Sequence, residues 1–171
     1  MRSWLRTMHG RAALLSAALW SVLLLGCGDP VSKRIADSLG PEVAGVEEGP
    51  LHRPGQPCLA CHGGYGPGAP EFSLAGTVYA ELTSAQALPF ARVSFVDSVG
   101  ARHVVVTNCA GNFYLEQKDY AITYPVWVSV ERDGVKREML TPIFQNDACA
   151  TCHTNPAGPA SAGHVYVFDK P

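Results

Sequence analysis

The chain has 171 residues, a formal net charge of −2, 47% hydrophobic residues and only 16% charged ones, a size that suits one domain with appendages and excludes two domains of ordinary size. The first 26 residues hold Arg2, Arg6 and Arg11 and no acid, so the 145 residues from Cys27 carry 10 Lys and Arg against 15 Asp and Glu, a net of −5. Such a balance argues against a nucleic-acid-binding surface, which needs clustered cations, and leaves six Cys and six His to be explained.

In chain order, Met1 to Arg11 is a positive stretch, Ala12 to Leu25 an apolar run of 14 residues, and Gly26 a small residue at the expected cleavage point, the layout of an export signal. The run is shorter than the roughly 20 apolar residues of a spanning helix. Leu24-Leu25-Gly26-Cys27 resembles the bacterial lipobox. The resemblance implies cleavage before Cys27 and lipidation of Cys27, each buried acyl CH₂ adding about 0.8 kcal/mol of membrane affinity. The protein is therefore expected to be exported and lipid-anchored, facing the periplasm or at the outer membrane of a Gram-negative-type bacterium. Residues 27–55, rich in Pro, Gly and Glu with a short helix over Ser32 to Leu39, are expected as a tether. Residues 56–171 then form the domain.

Two Gly/Pro-rich loops, Gly63 to Pro70 and Thr154 to Gly163, preclude regular structure near either end of that domain. Between and after them run short segments rich in β-branched and aromatic residues. The expected strands are Leu74 to Ala80, Ala91 to Asp97, Arg102 to Thr107, Asn112 to Glu116, Val126 to Arg132, Val135 to Leu140 and His164 to Phe168. Val126, Val128 and Val130 should face one way, Trp127, Ser129 and Glu131 the other, and Asp133-Gly134 marks a two-residue hairpin. With no long amphipathic helix visible, the expected fold is mainly β, a small sandwich, and not an all-helical cytochrome.

Ala75-Gly76-Thr77-Val78, Pro89-Phe90-Ala91-Arg92-Val93-Ser94-Phe95 and Thr107-Asn108-Cys109-Ala110-Gly111-Asn112-Phe113 are similar to the strand starts and the Thr-Asp-x-x-Gly-x-Phe turn of the carboxypeptidase regulatory-like (transthyretin-like) family. The likeness spans about residues 72–140, with Asn108 in place of the acidic residue. It implies a Greek-key sandwich serving as scaffold or binding module, without activity of its own. In the turn, Gly111 is expected at positive φ, which glycine adopts without a Cβ clash.

Four cysteines fall in two copies of one pattern, Cys58-Leu59-Ala60-Cys61-His62 and Cys149-Ala150-Thr151-Cys152-His153. C-x-x-C-H is the attachment signature of c-type haem: two thiols three positions apart reach the two vinyl groups of the porphyrin, and the next imidazole lies under the iron. A zinc site or disulfides would use the same thiols without needing either histidine. Each motif is followed by a loop and then by similar residues, Ala75-Gly76-Thr77-Val78-Tyr79 and Ala162-Gly163-His164-Val165-Tyr166. This echo is readable as a duplicated motif-loop-strand unit feeding an edge strand; were the two strands neighbours, both motifs would lie near one end of the sandwich.

His62 and His153 are thus the expected proximal ligands and Cys58, Cys61, Cys149 and Cys152 the covalent anchors of two haem c groups. For the sixth position, His52 in a Pro-flanked stretch and His164 at the start of the last strand are the candidates, an arrangement that would make both irons bis-His. His103 reads as a solvent-facing strand residue, Met139 as core packing, and Cys109 as a thiol packed at a strand end. Tyr79, Tyr114, Tyr166 and Trp127 read mostly as ordinary sandwich positions. The expectation is a lipid-anchored dihaem cytochrome that passes electrons to protein partners, an electron carrier and not an enzyme, its acidic surface suited to a basic docking patch. The competing expectation is a lipoprotein binding or scaffold module whose CxxC pairs brace the sandwich as disulfides or a zinc site.

Overall fold

The structure is a computed structural model that describes residues 29–42, 46, 48–145 and 148–169; the expected signal segment and Cys27 lie outside the described residues. Among the described residues three short helices, α1 (Pro30–Ser38), α2 (Leu59–His62) and α3 (Cys149–Cys152), accompany seven strands: β1 (Phe72–Glu81), β2 (Arg92–Val96), β3 (Arg102–Val106), β4 (Asn112–Glu116), β5 (Trp127–Arg132), β6 (Val135–Glu138) and β7 (Val165–Phe168). The protein is mainly β, as its alternating segments predict. Among the described residues no helix is long and apolar enough to cross a membrane.

The strands form two sheets, ordered β4-β1-β7 and β3-β2-β5-β6. The larger is antiparallel throughout. Its last hairpin turns at Asp133 (φ 52°) and Gly134 (φ 79°) between the paired Arg132 and Val135, both central residues at the positive φ that a two-residue turn of this hand requires. In the smaller sheet β4 is antiparallel to β1, while β7 runs parallel to it with Val78 opposite Val165 and Tyr79 opposite Tyr166. The two echoed segments are therefore adjacent and in register. One detail differs from the expectation: β7 is an edge strand, but β1 is central.

Leu74 and Val78 of β1, Val93 and Phe95 of β2, Phe113 and Leu115 of β4, Val126 just before β5, Val130 of β5, and Val167 of β7 belong to one buried cluster, so the sheets pack face to face. Burial of each such side chain contributes about 1.5–3 kcal/mol, and a slip of one residue would turn each strand's apolar set to solvent. Val126 and Val130 are buried and Trp127 and Glu131 exposed, as the alternation requires. Gly111, at φ 72°, packs so closely on β1 that a Cβ there would lie 2.5 Å from the Val78 carbonyl oxygen.

The expected tether contains α1, capped by Asp29, whose carboxylate accepts from the Val31 and Ser32 N–H groups. Its last residues belong to the domain. Gly55 N–H donates to Thr77 Oγ1 at 2.7 Å, and Asn112 Nδ2 donates to the His52 carbonyl at 2.9 Å. Thr77 and Asn112 alternate with buried core residues on β1 and β4, so this stretch crosses the outer face of the smaller sheet.

Candidate functional site

Each C-x-x-C-H motif forms one turn of helix. Around α2, His62 N–H donates to the Cys58 carbonyl (2.8 Å) and Gly63 N–H to that of Leu59 (2.9 Å); around α3, His153 N–H donates to the Cys149 carbonyl (2.8 Å). A single turn brings residues three apart onto one side, so the two cysteines of each motif share a face. The loops then fold back alike: Gly68 N–H donates to the Cys61 carbonyl (2.8 Å) and Ala162 N–H to the Cys152 carbonyl (3.0 Å).

The chain next supplies a carbonyl to the motif's imidazole. His62 Nδ1 lies 2.8 Å from the Pro70 oxygen and His153 Nδ1 2.8 Å from the Gly163 oxygen. A carbonyl only accepts, so each Nδ1 carries the proton and each Nε2 keeps its lone pair. Metal-binding histidines are commonly held this way, with the far nitrogen anchored to fix ring and tautomer. His62 is buried, its ring stacked on Phe72 at 4.3 Å, with Phe72 stacked on Tyr114 at 4.7 Å.

Both motifs lie against β1, on opposite faces of the smaller sheet. The first borders a cavity of about 500 Å³ over the outer face, with Cys58, Cys61, His62 and His52 around it and Phe72, Ala75 and Tyr114 as floor. The second borders a cavity of about 570 Å³ that opens between the sheets beside β7, lined by Cys149, Cys152, His153, Val128, Met139 and Val165 among others. Cys149 approaches β1 where Gly76 leaves room: a Cβ there would lie 2.8 Å from both Cβ and Sγ of Cys149. Phe113 borders both cavities.

His52 is brought to the first motif, its ring centroid 5.8 Å from that of His62. His164 borders the second cavity, but its ring stacks on Tyr79 at 4.0 Å and its Nε2 is 3.2 Å from Asn155 Oδ1, leaving Nδ1 buried without a hydrogen-bond partner. Two expectations need correction. His103 is not turned to solvent: it is half-buried, tilted over Tyr120 at 3.9 Å, because the chain after β4 folds across that face of the larger sheet. Cys109 is exposed, not packed, because it lies in the turn that Gly111 closes.

Burial pushes the Cys58 thiol up to about 11, and its S–H lies 3.5 Å from the Gln56 carbonyl, so it is held as a thiol and not as a reactive thiolate. Among the described residues no three His, Cys, Asp or Glu side chains gather as a metal site; the two CxxC pairs do not converge.

These residues fit a covalently held macrocycle. Two cysteines and a histidine whose Nε2 keeps its lone pair line each cavity, and both volumes fall within the roughly 300–1,000 Å³ usual for ligand sites. Pro70, Gly163 and Gly76 were not singled out for these contacts by their sequence. The repeated motif-loop-strand order was the available signal, since it implies that whatever the first loop does for His62 the second does for His153. Comparison of the chain with protein-family models, with curated proteins and with solved structures gives no match.

Proposed function

We propose that this protein is an exported, lipid-anchored dihaem c-type cytochrome that carries electrons between protein partners. The observation that carries the reading is the twofold occurrence of one construction: a C-x-x-C-H turn beside a cavity, its imidazole anchored through Nδ1 to a downstream carbonyl at 2.8 Å. Cys58 with Cys61, and Cys149 with Cys152, would hold the two groups through thioethers; His62 and His153 would ligate the irons. Bound haem supplies a one-electron iron couple. The protein's part is ligation, exclusion of water and orientation. His52, at the same cavity with its ring centroid 5.8 Å from that of His62, would complete the first site on giving up the hydrogen bond that its Nδ1 accepts from the Gly49 N–H at 3.4 Å. Arg53 at the first cavity and Arg137 at the second, paired in this structure with Glu42 and Asp169, would suit the carboxylates of a haem edge. Anchoring rests on the lipobox-like residues that end in Cys27.

Production in a host with cytochrome c maturation machinery tests the reading. The purified mature protein is expected to show a Soret band that survives acidic organic extraction, and an intact mass raised by two haems. A colourless protein, or one whose band is extracted, would sink covalent haem and return the four thiols to the disulfide or zinc reading.

A further inference from the structure

We propose that Met139 supplies the sixth ligand of the second haem, so that the two sites are chemically unequal: His62 with His52 at the first, His153 with Met139 at the second. The inference rests on the haem reading above and concerns one ligand within it.

The register of the β5–β6 hairpin sets the direction of the side chain. Val130 is buried in the core and lies opposite Arg137, and directly opposed residues of an antiparallel pair share a face. Arg137 therefore points to the inner side. Its own contacts agree, for Nε donates to the Val167 carbonyl at 2.7 Å and the guanidinium lies 4.4 Å over the Tyr166 ring. Met139 is two residues further on, tied by its N–H to the Val128 carbonyl at 3.0 Å, and so faces the same gap. There it borders the cavity that also holds Cys149, Cys152 and His153. Packing alone would favour a branched aliphatic residue on a strand; a thioether adds a soft sulfur on a chain of three torsions.

The alternative ligand, His164, is held on the outer face of the smaller sheet through one ring nitrogen. Tyr79 alternates with core Val78 and so lies on the outer face of the smaller sheet, and the His164 ring is stacked on it with Nε2 donating to Asn155 Oδ1. Ligation through Nε2 would require His164 to leave both contacts, so with the ring in place only its buried, unpartnered Nδ1 is left as a donor, and the His164→Gln variant below tests it. Met139 gives up no hydrogen bond. Met/His ligation raises a haem's potential relative to bis-His, so the second haem becomes the better electron acceptor of the pair, and electrons that enter at the first are drawn across the sheet to the second.

Because Met1 and Met8 fall within the expected signal, Met139 is the one methionine of the mature chain, and a sulfur-to-iron charge-transfer band in the ferric protein can be assigned without ambiguity. Haem content, measured first, separates the two readings: fewer than two covalent haems overturns the dihaem reading and this inference with it. With two haems attached, wild type is expected to show the band and two separate potentiometric steps. Met139→Leu should lose the band and open one reduced haem to carbon monoxide. Met139→His should lose the band, stay six-coordinate and lower the upper step, while His164→Gln should change neither band nor steps. Two haems without the band in wild type, a band that persists in Met139→Leu, or a second haem opened by His164→Gln would each overturn the assignment of Met139 alone.

Discussion

At the scale of single residues, what each histidine can offer a ligand site depends on which of its ring nitrogens is occupied. His62 and His153 both spend Nδ1 on a carbonyl and keep Nε2; His164, of the same residue type, spends Nε2 on Asn155. Packing decides as much as ligation. Gly76 is the point where the second motif touches β1, and a methyl group there would overlap Cys149, with Phe113 Cε1 a further neighbour at 3.1 Å. Interiors this dense do not absorb an added carbon without displacement. Gly76→Ala is therefore expected to push α3 off the sheet and lower covalent haem from two per chain to one, read by haemochrome assay and intact mass, with the first haem's spectrum unchanged. Retention of both haems in a folded variant would show that Cys149 need not stand where the structure has it.

Among the elements, the pairing of β1 with β7 does most to shape the site. It fixes where the loops after α2 and α3 deliver their carbonyls, because each loop ends at the start of its strand. The larger sheet is held by a different device. Asp97, buried at the end of β2, accepts from the Val99 and Ala101 N–H groups at 3.1 and 2.9 Å through one carboxylate oxygen and from the Tyr120 hydroxyl through the other. It thus ties the β2–β3 turn to the segment between β4 and β5. The Tyr120 hydrogen bond, followed by those of the backbone, holds the Asp97 carboxyl below its ordinary value of 3.8, against an opposing effect of burial. A carboxyl depressed on folding stabilises the native state above its unfolded pKa, and that contribution is lost as pH falls through the lower folded value. Asp97→Asn should consequently lower the urea midpoint at pH 7, and the gap to wild type should close as the pH drops below about 3.8. A gap independent of pH would mean that the carboxylate's charge has no part in the clamp.

For the molecule as a whole, the arrangement is two cavities back to back on one three-stranded sheet, with Phe113 touching both. A sheet with side chains on either face is about 10 Å thick. Two charges at about that separation interact by roughly 1–2 kcal/mol at an effective dielectric constant near 20. With two haems held as proposed, reduction of one should therefore make the other harder to reduce by tens of millivolts. Potentiometric titration of each haem, resolved by wavelength, is expected to show this interaction and its weakening in salt to be modest, since the intervening sheet excludes ions. Two titrations that fit independent one-electron curves would count against the back-to-back placement.

The sequence by itself determined the elements and the donor set. Alternation at Val126, Val128 and Val130 marked a strand, Asp133-Gly134 marked its turn, and the two C-x-x-C-H motifs marked the candidate ligand groups, because each is a local pattern read within a few residues. The echo between residues 75–79 and 162–166 was visible too, and the structure pairs the two segments. Only the tertiary structure decided which distant residues join which motif. His52 reaches the first cavity because the stretch before α2 crosses the outer face of the sheet and is bonded there to Thr77 and Asn112. His103 is taken up by Tyr120, and Met139 moves from core filler to cavity wall because of its place opposite Val128. Those outcomes depend on contacts between residues from 11 to 60 positions apart, set by which faces the two sheets bury against each other, and no spacing within a few residues encodes them.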